Sequence, residues 1–201
     1  MTEENRFIDR YLTGHTPWVH SNPDFNLLET VTKKSISPCK AFEPGCGLGV
    51  ESIWMAEQGF EVTAMDVSEL ALEKAKASAG ALASKINWLS MDIMQDRLPK
   101  EAFGFIFDRG FFHTFDTPGD RSLVAKKLAS SLKENGLWLS LMGNGDGVPV
   151  RTGPPLRSAS DIVLAVDPFF EILSLEVSFF GNEEANPHKI WRCLMKKRNL
   201  Y

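Results

Sequence analysis

Cysteine and histidine are scarce in this sequence. Its 201 residues include three cysteines, Cys39, Cys46 and Cys193, and four histidines. The cysteines are odd in number and lie far from any CxxC spacing, which excludes a disulfide framework and favours reduced thiols in a cytoplasmic protein. The histidines are scattered along the chain, so no metal site is predicted.

The sequence also lacks a long hydrophobic run. Its most apolar late stretch, residues 162–180, is interrupted by Asp167, Pro168, Glu171 and Glu176, so it cannot span a bilayer. The N-terminal segment is polar and acidic, unlike a secretory signal. We therefore expect neither a membrane protein nor a secreted one.

Positive charge is not in excess. Lys plus Arg is 22 against 26 for Asp plus Glu, which gives a net charge of −4. This balance argues against a surface built mainly to bind nucleic acid and favours a small-molecule substrate. The length fits one domain of about 100–200 residues. We expect a monomer or a weak homodimer.

From residue 39 onward, short β-rich runs alternate with helical segments, which is typical of a parallel sheet covered on both faces. The last two strands are joined by a connection too short for a helical crossover, so they should pair antiparallel. The sequence thus predicts an α/β, three-layer Rossmann-like fold with a seven-stranded, mostly parallel sheet and a C-terminal antiparallel hairpin. Residues 1–38 are predicted to form a helical cover within the same domain, and residues 39–201 the main body. The predicted strands are 39–43, 60–64, 86–91, 103–107, 137–142, 171–180 and 189–196.

Four predicted strands end in an acid: Glu43, Asp66, Asp92 and Asp108. In an open α/β sheet the ligand lies at the carboxyl ends of the strands, near the switch point of the strand order. Each acid alone could be a solvated strand end. Four in order, the first of them inside a glycine turn, predict a binding site.

The glycine turn is Glu43-Pro44-Gly45-Cys46-Gly47-Leu48-Gly49. Glycines at this spacing let the backbone approach a ligand closely. Asp66, at the end of the next strand, is placed to accept hydrogen bonds from both hydroxyls of a ribose, which indicates an adenosine-containing cofactor.

The spacing of the glycines in this turn distinguishes a dinucleotide cofactor from other adenosine-containing cofactors. Dinucleotide sites use GxGxxG, whereas the third glycine here comes one residue early and Glu43 precedes the turn. An acid there repels a pyrophosphate and suits an ammonium group. Two alternatives stay open: an NAD-dependent oxidoreductase, and a non-catalytic protein that only binds its cofactor.

The E-x-G-x-G-x-G pattern followed by D-V-S resembles motif I and its neighbour in class I S-adenosylmethionine-dependent methyltransferases. The resemblance implies that S-adenosylmethionine is the cofactor and S-adenosylhomocysteine its product. It also implies that Asp92 accepts from the adenine amino group, with Ile93 beside the ring. The cofactor-binding residues predicted in this way are Glu43, Gly45, Gly47, Gly49, Asp66, Val67, Asp92, Ile93 and Asp108.

A narrower resemblance is to the thiopurine S-methyltransferase family, which carries D-R-G at the fourth strand end and P-G-D-R at the next helix start. Here these are Phe107-Asp108-Arg109-Gly110 and Pro118-Gly119-Asp120-Arg121. Gly153-Pro154-Pro155 and Thr16-Pro17-Trp18 match as well. Many bacterial relatives have an aspartate and a glycine where this chain reads Val19-His20-Ser21.

This family resemblance implies that Trp18 closes over the cofactor and that Arg109 lies between the cofactor and the methyl acceptor. We expect the acceptor to be a small soft nucleophile: a thiol or thiopurine, a halide, or a selenium or tellurium species. Such a nucleophile reacts without a dedicated base, since positioning suffices. For an oxygen or nitrogen acceptor, His113 or Asp108 would be the base.

We also expect the cover to become ordered when the cofactor binds. Phe7, Ile8, Tyr11 and Leu12 are spaced to form one apolar face of a helix, and this face would pack over the bound cofactor.

Overall fold

The strands assemble into one mixed sheet in the order β3-β2-β1-β4-β5-β7-β6. They are β1 (Lys40–Pro44), β2 (Glu61–Asp66), β3 (Asn87–Ser90), β4 (Phe103–Arg109), β5 (Leu132–Gly143), β6 (Phe170–Phe179) and β7 (Lys189–Lys197). The computed structural model describes residues 3–146, 155–181 and 188–199. Neighbouring strands from β3 to β5 are parallel, whereas β7 is antiparallel to β5 and β6. The predicted fold class is confirmed.

Helices cover both faces of the sheet. They are α1 (Glu3–Thr13), α2 (Phe25–Lys33), α3 (Val50–Glu57), α4 (Glu69–Ala79), α5 (Pro118–Ser131) and α6 (Ala159–Val166). Side chains of β4 alternate between the two faces: Phe105 and Phe107 pack with α2, α3 and α4, whereas Ile106 packs with α5 and α6. The alternation of a strand therefore supplies both halves of the core.

Side-chain caps fix where the helices begin. Ser68 accepts from the Ala71 N–H at the start of α4. Thr117 accepts from the Asp120 N–H ahead of Pro118, as the sequence predicts for α5. Each cap satisfies a backbone donor that has no partner within its helix.

The junction between α5 and β5 differs from the prediction. The sequence places the helix end at Asn135-Gly136, but α5 ends at Ser131 and β5 begins at Leu132. The reason is competition for the last helical carbonyls: the N–H groups of Glu101 and Ala102 donate to Ser130 and Ser131. The strand β4 thus enters directly against the end of α5.

Some predicted features lie outside the described residues. These are Gly153 and Pro154 of the Gly-Pro-Pro motif and residues 182–187 of the connection between the last two strands. Within the described ranges, no helix is long and apolar enough to cross a membrane. The same ranges contain no cluster of three metal-ligating side chains.

Replacement of Leu128 by alanine tests the packing of α5. Leu128 is fully buried in the core on that face, so Leu128→Ala should lower the free energy of unfolding by about 2–5 kcal/mol. Leu164 on α6 is 74% exposed, so Leu164→Ala should change it by no more than about 0.5 kcal/mol. Urea denaturation of both variants measures the difference, and equal losses would contradict the described core.

Candidate active site

A bare backbone turn connects β1 to α3 at the carboxyl ends of the parallel strands. Gly45 and Gly47 have φ values of +67° and +53°, which side-chain-bearing residues rarely adopt. A Cβ on Gly45 would lie 2.5 Å from Cδ2 of Phe111, and one on Gly47 would lie 2.7 Å from the Tyr11 hydroxyl. Gly49 forms the N-cap of α3. The absence of side chains at Gly45 and Gly47 therefore lets Phe111 and Tyr11 pack directly against the backbone of the turn.

Asp66 is tied to this turn. Its Oδ2 accepts from the Gly47 N–H at 2.9 Å, and its Oδ1 accepts from the Ser68 N–H at 2.9 Å. Burial raises the pKa of Asp66, and the backbone donors partly offset that rise. Val67 is half-buried directly after it. The carboxylate is thus fixed beside the glycine turn, as the spacing predicts.

The loop after β3 carries the next acid. Asp92 is half-buried, and its Oδ1 accepts from the Met94 N–H at 2.8 Å. Lys127 of α5 donates to the carbonyls of Ile93 and Met94 and fixes the loop. Ile93 itself is buried in the apolar core.

Glu43 is a buried carboxylate without a cationic partner among the described residues. Among the described residues, its hydrogen-bond donor is Ser52. Burial, with the neighbouring carboxylates of Glu51 and Asp108, raises the pKa of Glu43 well above its usual range. A cation bound at this point would relieve that cost, because a nearby positive charge favours the ionised carboxylate.

The N-terminal segment lies directly on the glycine turn. Tyr11 of α1 is buried, and its hydroxyl accepts from Trp18 Nε1 at 3.1 Å. The two rings meet edge to face with their centroids 5.8 Å apart. The apolar face predicted for α1 is wrong at Leu12, whose surface is 66% exposed. Aromatic contacts therefore seat this segment.

Arg109 joins the end of β4 to the N-terminal segment. Its Nε donates to Asp24 Oδ2 at 3.0 Å and its Nη1 to the Trp18 carbonyl at 3.3 Å. The guanidinium carbon lies 4.4 Å from the centre of the Phe180 ring. Asp24 also caps α2 by accepting from the Asn26 N–H. Arg109 thus lies at the end of β4, with two of its nitrogens bonded to the cover.

The prediction that Asp108 is a base or a cofactor ligand is not supported by its geometry. The residue has no exposed surface. Its Oδ1 accepts from the N–H groups of Phe111 and Phe112, and its Oδ2 accepts from Trp138 Nε1 at 2.8 Å. Burial raises its pKa to about 6. Asp108 faces the core and holds the turn after β4, so it does not reach a substrate.

His113 follows Arg109 after the end of β4, but its ring cannot act as a base. Its Nδ1 accepts from the Gly143 N–H at 2.7 Å, so the proton of the neutral ring is on Nε2. Burial, with the positive charges of Arg157 and Arg109, lowers its pKa to about 3. Neither nitrogen can take a proton at neutral pH.

His20 and Glu51 form a contact that the sequence did not reveal. His20 Nε2 lies 2.6 Å from Glu51 Oε1, and its Nδ1 lies 3.1 Å from the Trp18 carbonyl. Burial lowers the pKa of His20, but the hydrogen bond and charge of Glu51 outweigh it, so the pKa is raised overall. Both ring nitrogens face acceptors, which favours the charged ring. The pair fastens the cover to α3.

Comparisons with known proteins indicate a methyltransferase. Residues 2–186 match the family model described as thiopurine S-methyltransferase. The chain is 34% identical over 131 residues to the probable thiol methyltransferase 2 of Arabidopsis thaliana, an alignment that covers 64% of this chain and 57% of the relative. It is 31% identical over 181 residues to thiocyanate methyltransferase 1 of the same plant, covering 87% of this chain and 74% of the relative.

A solved structure shares the fold. The 1,6-didemethyltoxoflavin-N1-methyltransferase of Burkholderia thailandensis, crystallised with its substrate and S-adenosylhomocysteine, superposes with a TM-score of 0.79. The match covers 98% of this chain and 88% of that one at 16% identity. This likeness shows a class I methyltransferase fold.

The His20–Glu51 contact predicts a pH dependence of stability. Because folding raises the pKa of His20, its contribution is fully present below the unfolded value of about 6.5 and is lost as the pH rises through the raised value. The stability difference between wild type and His20→Asn should therefore shrink as the pH rises above about 6.5. Denaturation at each pH measures it. The exposed His15, replaced by asparagine, is the matched control, and a His20 difference that grew with pH would contradict the contact.

Proposed function

The chain belongs to the thiopurine S-methyltransferase family of S-adenosylmethionine-dependent enzymes, and from this premise we propose that its acceptor is a small, soft nucleophile such as a thiol, thiocyanate or a halide. The family gives no support to the alternatives of an NAD-dependent oxidoreductase or a non-catalytic binding protein. The relatives described as thiol and thiocyanate methyltransferases support an acceptor of this kind.

The observation that carries the cofactor half of the proposal is the buried Glu43 at the head of the glycine turn. S-adenosylmethionine supplies a methyl group on a cationic sulfur, together with an ammonium group and an adenosine. The fit to these residues is chemical. Glu43 has no cationic partner among the described residues, and the glycines of the turn allow close approach to its backbone, where the side chains of Phe111 and Tyr11 now lie.

The remaining cofactor contacts follow from the strand order. Asp66 would accept from the ribose hydroxyls through the outer sides of its oxygens, and Asp92 from the adenine amino group. Val67 and the core-packed Ile93 would border the adenine. Trp18 would supply an aromatic wall, since aromatic faces favour cations. For the ligand to lie against the turn, Tyr11 must move away from Gly47, because its hydroxyl now fills that space.

The acceptor half of the site favours a nucleophile that needs no base. The two predicted bases are unavailable: Asp108 is sealed in the core, and the lone pair of His113 Nδ1 is used by Gly143. Arg109 and the Phe180 ring lie there instead. A cation beside an aromatic surface suits a polarisable anion. Amines and alcohols, which must lose a proton, would react slowly here.

Some finer predictions stay predictions. A monomer or weak homodimer, a cytoplasmic location, and a boundary between cover and main body at residue 38 follow from the sequence alone. None of them affects the proposed chemistry.

The role of Glu43 predicts opposite effects on stability and on cofactor binding. Glu43→Gln replaces a buried carboxyl group whose ionised form is disfavoured in the free protein, so the free protein should be no less stable than wild type. Affinity for S-adenosylmethionine should fall about 10- to 100-fold, the value of one hydrogen bond to a charged group. Isothermal titration measures the affinity. Glu57→Gln, at an exposed position of the same helix that follows the turn, should bind as wild type does. Unchanged affinity of Glu43→Gln would remove Glu43 from the site.

The acceptor class can be measured with methyl-labelled S-adenosylmethionine. We expect transfer to thiocyanate, iodide and a small thiol at rates at least about 100-fold above those for glycine or a phenol, since a missing base costs about 10²–10⁴-fold. Faster transfer to the amine or the phenol would overturn the proposed acceptor. Transfer to none of them would overturn the proposed function as a whole.

A further inference from the structure

We propose that the Nε2–H of His113 donates a hydrogen bond to the methyl acceptor and so selects soft nucleophiles that carry a second, hydrogen-bond-accepting atom. The proposal rests on the proposed function and names a specificity determinant within that site.

The position of His113 places it at the acceptor half of the site. It lies in the short 3₁₀ helix Phe112–Thr114 that follows β4. Its bond to Gly143 ties the end of β4 to the end of β5. In the strand order, β4 and β5 lie on the opposite side of the switch point from β2 and β3, whose ends carry the predicted cofactor residues.

The Nε2 atom of His113 lies close to Gly110, whose other neighbour Phe180 is in contact with Arg109. A Cβ built on Gly110 would lie 3.5 Å from His113 Nε2 and 3.9 Å from Cζ of Phe180. The Arg109 guanidinium lies against that same Phe180 ring. An anion beside Gly110 would therefore meet the imidazole edge, the arginine and the aromatic ring together.

The direction of the hydrogen bond is fixed by Gly143. Because the Gly143 N–H donates to Nδ1 at 2.7 Å, the neutral ring carries its proton on Nε2. Among the described residues, none accepts a hydrogen bond from that Nε2–H, which leaves it free for a ligand. A charged ring is disfavoured because burial and the nearby arginines lower the pKa of His113 to about 3.

A neutral donor at this place has a chemical consequence. Thiocyanate has two ends, so Nε2–H can bind the nitrogen while the sulfur lone pair attacks the methyl carbon and the bond from that carbon to the departing sulfur breaks. No proton is transferred. In iodide a single atom must both accept the hydrogen bond and attack the methyl carbon, and a hydrogen bond to that atom reduces its nucleophilicity. The residue should therefore favour two-ended acceptors over monoatomic ones.

Two conservative variants separate this role from a structural one. In His113→Asn the amide oxygen can replace Nδ1 as the acceptor for Gly143, but no group reaches the position of Nε2. In His113→Gln the longer amide reaches toward the position of Nε2 and can donate there. A purely structural role predicts that asparagine is the better replacement, whereas the proposed role predicts glutamine.

The experiment measures kcat/KM for thiocyanate and for iodide with wild type and both variants. His113→Asn should lose about 10- to 100-fold with thiocyanate, the value of one hydrogen bond to a charged group, and change far less with iodide. His113→Gln should recover part of the loss. Titration of thiocyanate into the complex with S-adenosylhomocysteine should show the same order of affinities without any turnover.

The outcomes distinguish this proposal from the proposed function. If wild type transfers methyl to neither anion, the proposed function fails. If wild type is active and His113→Asn keeps its preference for thiocyanate over iodide, or loses both activities equally while remaining folded, the role of His113 is overturned. Nitrogen-15 NMR of the imidazole gives an independent check: a proton on Nδ1, or a ring that titrates between about pH 5 and 8, would also overturn it.

Discussion

Burial of carboxylates at the ends of adjacent parallel strands is the constraint on which the rest of this structure depends. A buried charge is costly unless it is paired or hydrogen-bonded. Asp66 is satisfied by two backbone N–H groups, and Asp108 by two more with the Trp138 indole. Among the described residues, Glu43 has only Ser52 as a donor. Two acids are therefore built into the fold, and the third needs a cation to complete its surroundings, which is the physical basis of a site for a positively charged cofactor.

Two charged pairs hold the cover on the main body in addition to its buried apolar side chains, such as Tyr11 and Leu27. Arg109 bonds to Asp24 and His20 to Glu51, and each pair links the cover to a different element of the main body. The Asp24 N–H also donates to Glu51, so the two pairs share one network. Such contacts can break and re-form with a modest change in surroundings, whereas Leu27 of α2 is buried in the core of the main body. That difference matters because the Tyr11 hydroxyl occupies the space beside Gly47 through which a ligand would contact the turn.

The sequence was sufficient for the fold, and insufficient for the side-chain contacts at the proposed site. Strand periodicity and capping residues depend on near neighbours in the chain, so they are visible without coordinates. The direction of a side chain at a strand end is not: Asp66 and Asp108 follow equivalent strands, but one borders the glycine turn and the other points into the core. The Asp24–Arg109 and His20–Glu51 pairs join residues far apart in sequence, and no short motif encodes them.

Neither of the two predicted bases, Asp108 and His113, is available to accept a proton, and this favours one class of methyl acceptor. A methyltransferase that acts on an alcohol or on a protonated amine must remove a proton for attack to occur, and a free lone pair close to the acceptor serves that purpose. Here the strand end offers donors: the Arg109 guanidinium and the Nε2–H of His113, whose direction is set by a backbone N–H. Donors without a base lower the energy of an anion that is already formed. The geometry thus matches a reaction in which the acceptor arrives deprotonated and the protein contributes orientation and charge.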